Sequence, residues 1–238
     1  MATERTEPRW GLGDAAMGFL VGLVLSTLLA SIWLAGQGPD ADDLSLGGQA
    51  LSAIGLWVGL AGAAILATKR KGSGSLAEDF GLRGKPVDLL VGLAAGVFAQ
   101  VILIPGIALL LSPLLGDPEV TTPVEDLLDS ASGAGKVGLF LFVAVGAPIV
   151  EELFFRGLLL RSLLRRTSPV WAVVISGVLF GLAHPQDLPA EALILVIVSL
   201  CALGILLGAL VVRFGRLGPA IVAHAAFNAW TLIVLLSR

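Results

Sequence analysis

The sequence predicts an all-α, polytopic transmembrane helical bundle, and three observations carry that reading. Hydrophobic residues make up 56% of the 238 positions and charged residues only 14%, where a soluble domain carries about a quarter charged. The mean hydropathy is +0.94. The apolar residues also fall in repeated runs long enough to cross a hydrocarbon core, which takes about 20 residues per helix. Such runs imply helices, because a lone strand in lipid would leave its backbone polar groups unpaired. A soluble enzyme is thereby excluded. With a formal net charge of −3, no nucleic-acid partner is indicated, and the first partner is the lipid bilayer.

Seven spans are expected, at 13–36, 46–68, 87–112, 136–160, 169–184, 190–212 and 218–237. Dividing one of them would give eight. The breaks fall at Gly38-Pro39, Gly72-Ser73-Gly74, Gly116-Asp117-Pro118, Ser168-Pro169, Pro185 with Pro189, and Gly218-Pro219, residues that punctuate helices. The first run is too long for a signal-peptide core and reads as a retained span. No internal repeat and no separate soluble domain is visible. The chain reads as one membrane unit, with N-terminal helices and loops over 1–134 and a catalytic core over 135–238.

Charge orients the bundle. Arg5 and Arg9 precede the first span, and Lys69, Arg70, Lys71, Arg83 and Lys85 lie between the second and third. Arg161, Arg165 and Arg166 follow the fourth span, and Arg213 and Arg216 follow the sixth. The alternate loops are acidic, with Asp40, Asp42 and Asp43 in one and Asp117, Glu119, Glu125, Asp126 and Asp129 in the other. The positive-inside rule then puts the N-terminus in the cytoplasm and the C-terminus outside, in a plasma-membrane protein, with Arg238 the one dissenting charge. Trp10, Trp33 and Trp171 fall near span ends, where interfacial aromatics belong. Glycines at i, i+4 (Gly18/Gly22, Gly55/Gly59, Gly92/Gly96, Gly177/Gly181, Gly204/Gly208) permit close helix packing within the chain. Thr122-Pro123-Val124-Glu125 reads as the capped start of a short surface helix. The single cysteine, Cys201, cannot form an intrachain disulfide and is expected to be buried and inert.

Function is written in the ionisable residues that interrupt these runs. Both histidines and the adjacent glutamates lie in apolar segments: Val150-Glu151-Glu152-Leu153-Phe154-Phe155-Arg156, Leu179-Phe180-Gly181-Leu182-Ala183-His184, and Ala223-His224-Ala225-Ala226-Phe227-Asn228. An ionisable group at membrane depth costs at least ~2.5–3.5 kcal/mol, so its default meaning is a functional site. Glu152 and Arg156 stand at i, i+4 and can pair on one helix face. Glu151 points about 100° away and is left free. Burial raises the proton affinity of such a carboxylate toward the range of a general base. Pro148 is expected to kink the helix just before the pair. Phe180 and His184 share a face, as do His224 and Asn228. An imidazole and an amide one turn apart suit a developing oxyanion in a dry site. With no serine or cysteine paired to a base, water is the expected nucleophile.

These three motifs, Glu-Glu-x-x-x-Arg at 151–156, Phe-x-x-x-His at 180–184 and His-x-x-x-Asn at 224–228, resemble those of the CAAX protease and bacteriocin-processing (CPBP, or Abi) family, which includes the type II CAAX prenyl endopeptidases. The resemblance covers roughly residues 135–238. It implies an intramembrane endopeptidase acting on membrane-associated protein or peptide substrates, either prenylated CAAX-like or leader peptides. By carry-over, Glu151 with His184 would activate water, and His224 with Asn228 would stabilise the oxyanion. Glu152, Arg156 and Phe180 would support them. No cofactor is expected. A divalent metal on Glu151, Glu152, His184 and His224 is the alternative, disfavoured by the lack of a tight ligand pair on one helix. The alternative functions are a non-catalytic immunity or scaffold protein and a proton-coupled transporter, whose inverted repeats and broken helices are not visible.

The single-site reading makes one demand. By helical rise, His224 lies about 12 Å from the inner end of its span and His184 about 24 Å from the inner end of its own. The fifth helix must therefore be tilted or displaced, or the span ends must differ from those above.

Overall fold

In the computed structural model, residues 8–37, 44–116, 118, 123–184 and 187–237 are described. Arg5, Asp40, Asp42, Asp43, Asp117, Glu119, Thr122, Pro185 and Arg238, which figure in the sequence reading, lie outside them.

Among the described residues every regular element is a helix. Six are long and apolar enough to span a membrane: α1 (Leu12–Gln37), α2 (Leu46–Lys71), α4 (Pro86–Leu115), α6 (Gly133–Leu164), α8 (Ala190–Phe214) and α9 (Gly218–Leu236). A shorter apolar helix, α7 (Pro169–Leu182), completes the seven expected spans. Two small helices lie between them, α3 (Leu76–Asp79) and α5 (Pro123–Ser130), the latter where the Thr122-Pro123 signal predicts it. The protein is thus an integral-membrane helical bundle, and side chains such as Leu109, Leu110 and Leu114 face outward as lipid contacts.

The glycine pairs are spent on intrachain packing. A Cβ on Gly55 would meet the Leu25 carbonyl carbon at 2.8 Å, and one on Gly204 would meet the Gly177 carbonyl oxygen at 2.7 Å. These close approaches build the α1–α2 and α7–α8 hairpins. Gly181 packs in the same way against Cys201 of α8. Cys201 itself is only half-buried, donating to the Val178 carbonyl at 3.6 Å, because it sits at the rim of that seam.

The basic loop residues have partners. Arg216 forks onto the carboxylate of Asp88, which is buried at the start of α4 and accepts the Lys85 amide at 2.8 Å. Arg161 donates to the carbonyls of Phe80 and Gly215, each at 3.1 Å, and Lys71 pairs with Asp14 at 2.6 Å. Trp10, just before the start of α1, is 4% exposed. It packs edge-on against Phe80 and under the Arg165 guanidinium at 4.0 Å, which draws it inward.

Two spans change register on the way through. Pro105 and Pro148 have no N–H to donate, so the turns before them widen into π-turns at Ala99–Leu103 and Phe142–Gly146. The expected kink at Pro148 takes this form. A third π segment, Leu153–Leu159, begins directly after Glu152 with no proline to force it. π-turns of this kind are frequent at functional sites.

Candidate active site

The site forms where α6, α7 and α9 meet. The α6–α7 hairpin turns at Arg165–Ser168. Glu151 lies about 20 Å back from the end of α6 and His184 about 22 Å beyond the start of α7, so the two arrive at one depth without unusual tilt. Helix α9 begins deeper than the hairpin turn. The Arg161–Gly215 bond holds the residues before it level with Arg161, about 15 Å from Glu151 by helical rise. His224 is about 9 Å beyond Gly218, where α9 starts. Leu217, just before Gly218, bonds to Gly81, whose neighbour Phe80 packs on Gly157, itself about 9 Å from Glu151 by helical rise. The depth mismatch in the sequence reading comes from assuming that all spans start on one plane.

The glutamate pair divides as the helix geometry requires. Glu152 and Arg156, both fully buried, pair at 2.9 Å. Arg156 also donates through Nη2 to the Gly204 carbonyl at 3.0 Å, and its guanidinium lies 4.3 Å from the centre of the Phe180 ring. Glu151 turns elsewhere. Its buried Oε2 accepts no hydrogen bond and stands 3.7 Å from His184 Nε2 and 3.9 Å from His224 Nε2.

Each imidazole is oriented through its other nitrogen. His184 Nδ1 lies 2.7 Å from the Phe180 carbonyl, which can only accept, so Nδ1 carries the hydrogen. His184 follows the last turn of α7, its amide bonded to the Gly181 carbonyl at 3.1 Å. His224 Nδ1 donates to Glu152 Oε1 at 3.1 Å. Both Nε2 atoms are thereby left facing Glu151. Phe180 is the hub of this packing. Fully buried, it meets the rings of Phe155, His184 and His224 at 5.2, 4.7 and 5.6 Å.

Asn228 is placed differently from the simple picture of two converging donors. Its amide donates to the Val143 carbonyl at 2.8 Å. That carbonyl is free because the Ala147 amide reaches past it to Phe142 in the π-turn. One N–H of Asn228 is therefore structural and the second remains for other use. Sequence reasoning missed two further residues on this face. Gln100 of α4 donates to the Phe227 carbonyl at 3.1 Å and to the Thr231 hydroxyl. Ser176 donates to Phe155 within the third π segment at 3.1 Å. The lone amide in the apolar run of α4 was the available signal.

An apolar crevice of about 360 Å³ is lined by residues that include Ala183, the chain neighbour of His184, and Phe155, which packs on Phe180. Leu12, Ala16 and Phe19 of α1 form one wall, Phe154 and Phe155 another, and Leu182 with Ala183 the end next to His184. Among the described residues, no group of three or more His, Cys, Asp or Glu side chains is arranged to hold a metal ion.

Residues 133–230 match the family model described as type II CAAX prenyl endopeptidase Rce1-like. No curated protein and no solved structure matches the chain. The matched stretch contains all three motifs and both histidines that face Glu151, while α1, α2 and α4 lie outside it. Over residues 133–230 the chain is therefore similar to the Rce1-like type II CAAX prenyl endopeptidases, in line with the CPBP resemblance of its motifs.

Proposed function

We propose that the protein is an intramembrane endopeptidase that cleaves membrane-associated, CAAX-like prenylated or leader-type peptides by a metal-free mechanism based on Glu151. The observation that carries this reading is the unbonded Glu151 Oε2, with two histidine Nε2 atoms from two other helices within 3.9 Å. A water held between Glu151 and His184 loses a proton to the carboxylate as its oxygen attacks the scissile carbonyl. The tetrahedral oxyanion is stabilised by the second amide N–H of Asn228 and by His224 in its doubly protonated form, whose Nε2–H faces the site while Nδ1–H donates to Glu152. Collapse of that intermediate passes the proton to the leaving amine. Glu152 and Arg156 keep the pocket charge-compensated, and Phe180 fixes both rings. The apolar crevice, whose lining includes Ala183, the residue before His184, supports a substrate with a lipid or strongly apolar portion. Basic loops on the Arg161 side favour an N-terminus in the cytoplasm and a plasma-membrane location.

A metal-dependent variant has one feature in its favour. Each histidine bonds through Nδ1 and offers Nε2, as metal-bound histidines do. The test separates the two readings. Purified protein is incubated with fluorogenic prenylated CAAX peptides, with and without chelator, beside Glu151→Ala and His184→Ala. Cleavage that disappears in both variants and survives chelator supports the metal-free protease, and loss with chelator alone supports the metal site. Absence of cleavage by the unaltered protein, with an unchanged cellular phenotype in Glu151→Ala, would favour a scaffold. A phenotype that follows the proton gradient would favour transport.

A further inference from the structure

We propose that Gln100, on a span outside the matched domain, is a positioning residue that sets the rotation and depth of the helix bearing His224 and Asn228. The inference rests on the peptidase reading for its kinetic consequence, though not for its structural one.

Helix α9 carries a polar stripe, His224, Asn228 and Thr231, at successive turns of one face. Two members are held from α6 and one from α4. Glu152 takes His224, the Val143 carbonyl takes Asn228, and Gln100 takes Thr231. The last contact is a closed network: the Gln100 amide donates to the Thr231 hydroxyl and to the Phe227 carbonyl, and the hydroxyl donates to the same carbonyl at 3.3 Å. The Val143 carbonyl and the Gln100 side-chain amide occupy matching positions. Gln100 precedes Pro105, and Val143 precedes Pro148, by the same five positions, each inside the π-turn that its proline imposes. Proline-directed π-turns on α4 and α6 therefore grip α9 on its catalytic face.

The grip bears on chemistry because, beyond the Arg216 fork onto Asp88 at the start of α9, the α4–α9 seam along the helix is glycine and apolar packing. Gly92 lies against Val222 and Gly96 against Ala226. Apolar packing is non-directional, so along this seam the Gln100 network adds a directional hold on the outer half of α9, beyond the one that Asp88 and Arg216 give its start. One residue of slippage would move His224 by about 1.5 Å and turn it by about 100°, enough to remove Nε2 from Glu151. A misplacement of about 1 Å costs roughly 100-fold in rate.

The experiment uses the full-length protein as Gln100→Leu, Thr231→Val, their double variant, and Thr231→Ser, which keeps the hydroxyl. The single losses are expected to lower kcat by ~10–100-fold with KM within about threefold. The double variant should be no worse than the poorer single, because both break one network, and Thr231→Ser should retain kcat within about threefold. With only two histidines in the chain, the ring signals can be read by NMR and assigned with His224→Ala. The His224 signal should shift in Gln100→Leu and Thr231→Val and stay in place in Thr231→Ser. Unchanged kcat in both singles, a double-variant loss equal to the product of the two, or an unmoved His224 signal would each overturn the proposal. The NMR result decides it even if no peptide is cleaved by the unaltered protein.

Discussion

Replacing Arg156 by methionine tests whether the site is as dry as its geometry implies. Methionine keeps most of the side-chain volume and removes the charge. The native guanidinium is fully buried, pairs with Glu152 at 2.9 Å, donates to the Gly204 carbonyl at 3.0 Å and lies over Phe180. Without it, the Glu152 carboxylate keeps only His224 on Oε1, since its Oε2 has no partner even in the intact site. Breaking one side of a fully buried pair costs about 3–5 kcal/mol because the other charge is stranded. For a chain of this size that corresponds to a fall in melting temperature on the order of 10 °C. Denaturation of the purified protein in detergent measures it. The double variant Glu152→Gln/Arg156→Met removes both charges and should regain most of the loss. It should remain poorly active, because His224 has lost the carboxylate that orients it. A single-variant cost below about 1 kcal/mol would refute the dry pair. A double variant as unstable as the single would show that the stranded charge is not the cause.

Further outcomes follow from the same geometry. Glu151→Gln should lower kcat by ~10²–10⁴-fold without lowering the melting temperature, because Glu151 Oε2 accepts no hydrogen bond that folding would lose; activity within tenfold of the original would remove Glu151 from the mechanism. Pro148→Ala restores the missing N–H and should let α6 run as a regular helix, engaging the Val143 carbonyl that Asn228 now uses. Stability is expected to hold or rise while kcat falls at least tenfold, as measured by paired melting and turnover. Ala16→Trp projects into the crevice beside Phe154 and Leu182. It should raise KM for lipidated peptides several-fold while leaving unlipidated ones unaffected, and an equal effect on both would detach the crevice from substrate binding.

How much of this was legible beforehand depended on the range of the interaction. Span positions and the all-helical class were readable because hydropathy acts locally and the bilayer accepts few backbone solutions. The Glu152–Arg156 pair was readable because i, i+4 proximity is built into a helix. The same geometry left Glu151 free. Trp10 lies at a span end as read, but its ring and cation partners, Phe80 and Arg165, come from distant segments and were not legible.

What the sequence determined by itself is therefore the number and extent of the helices and the identity of the polar residues they carry, all set by neighbours within a turn or two. Tertiary structure alone decided which of those residues meet. The depth match of Glu151, His184 and His224 depends on where each helix starts, fixed by Arg161 reaching Phe80 and Gly215. The partners of Asn228 and Thr231 depend on carbonyls and amides presented by π-turns 85 and 131 residues away in sequence. Such contacts leave no periodic trace, because a single hydrogen bond between distant segments places no demand on the residues beside it.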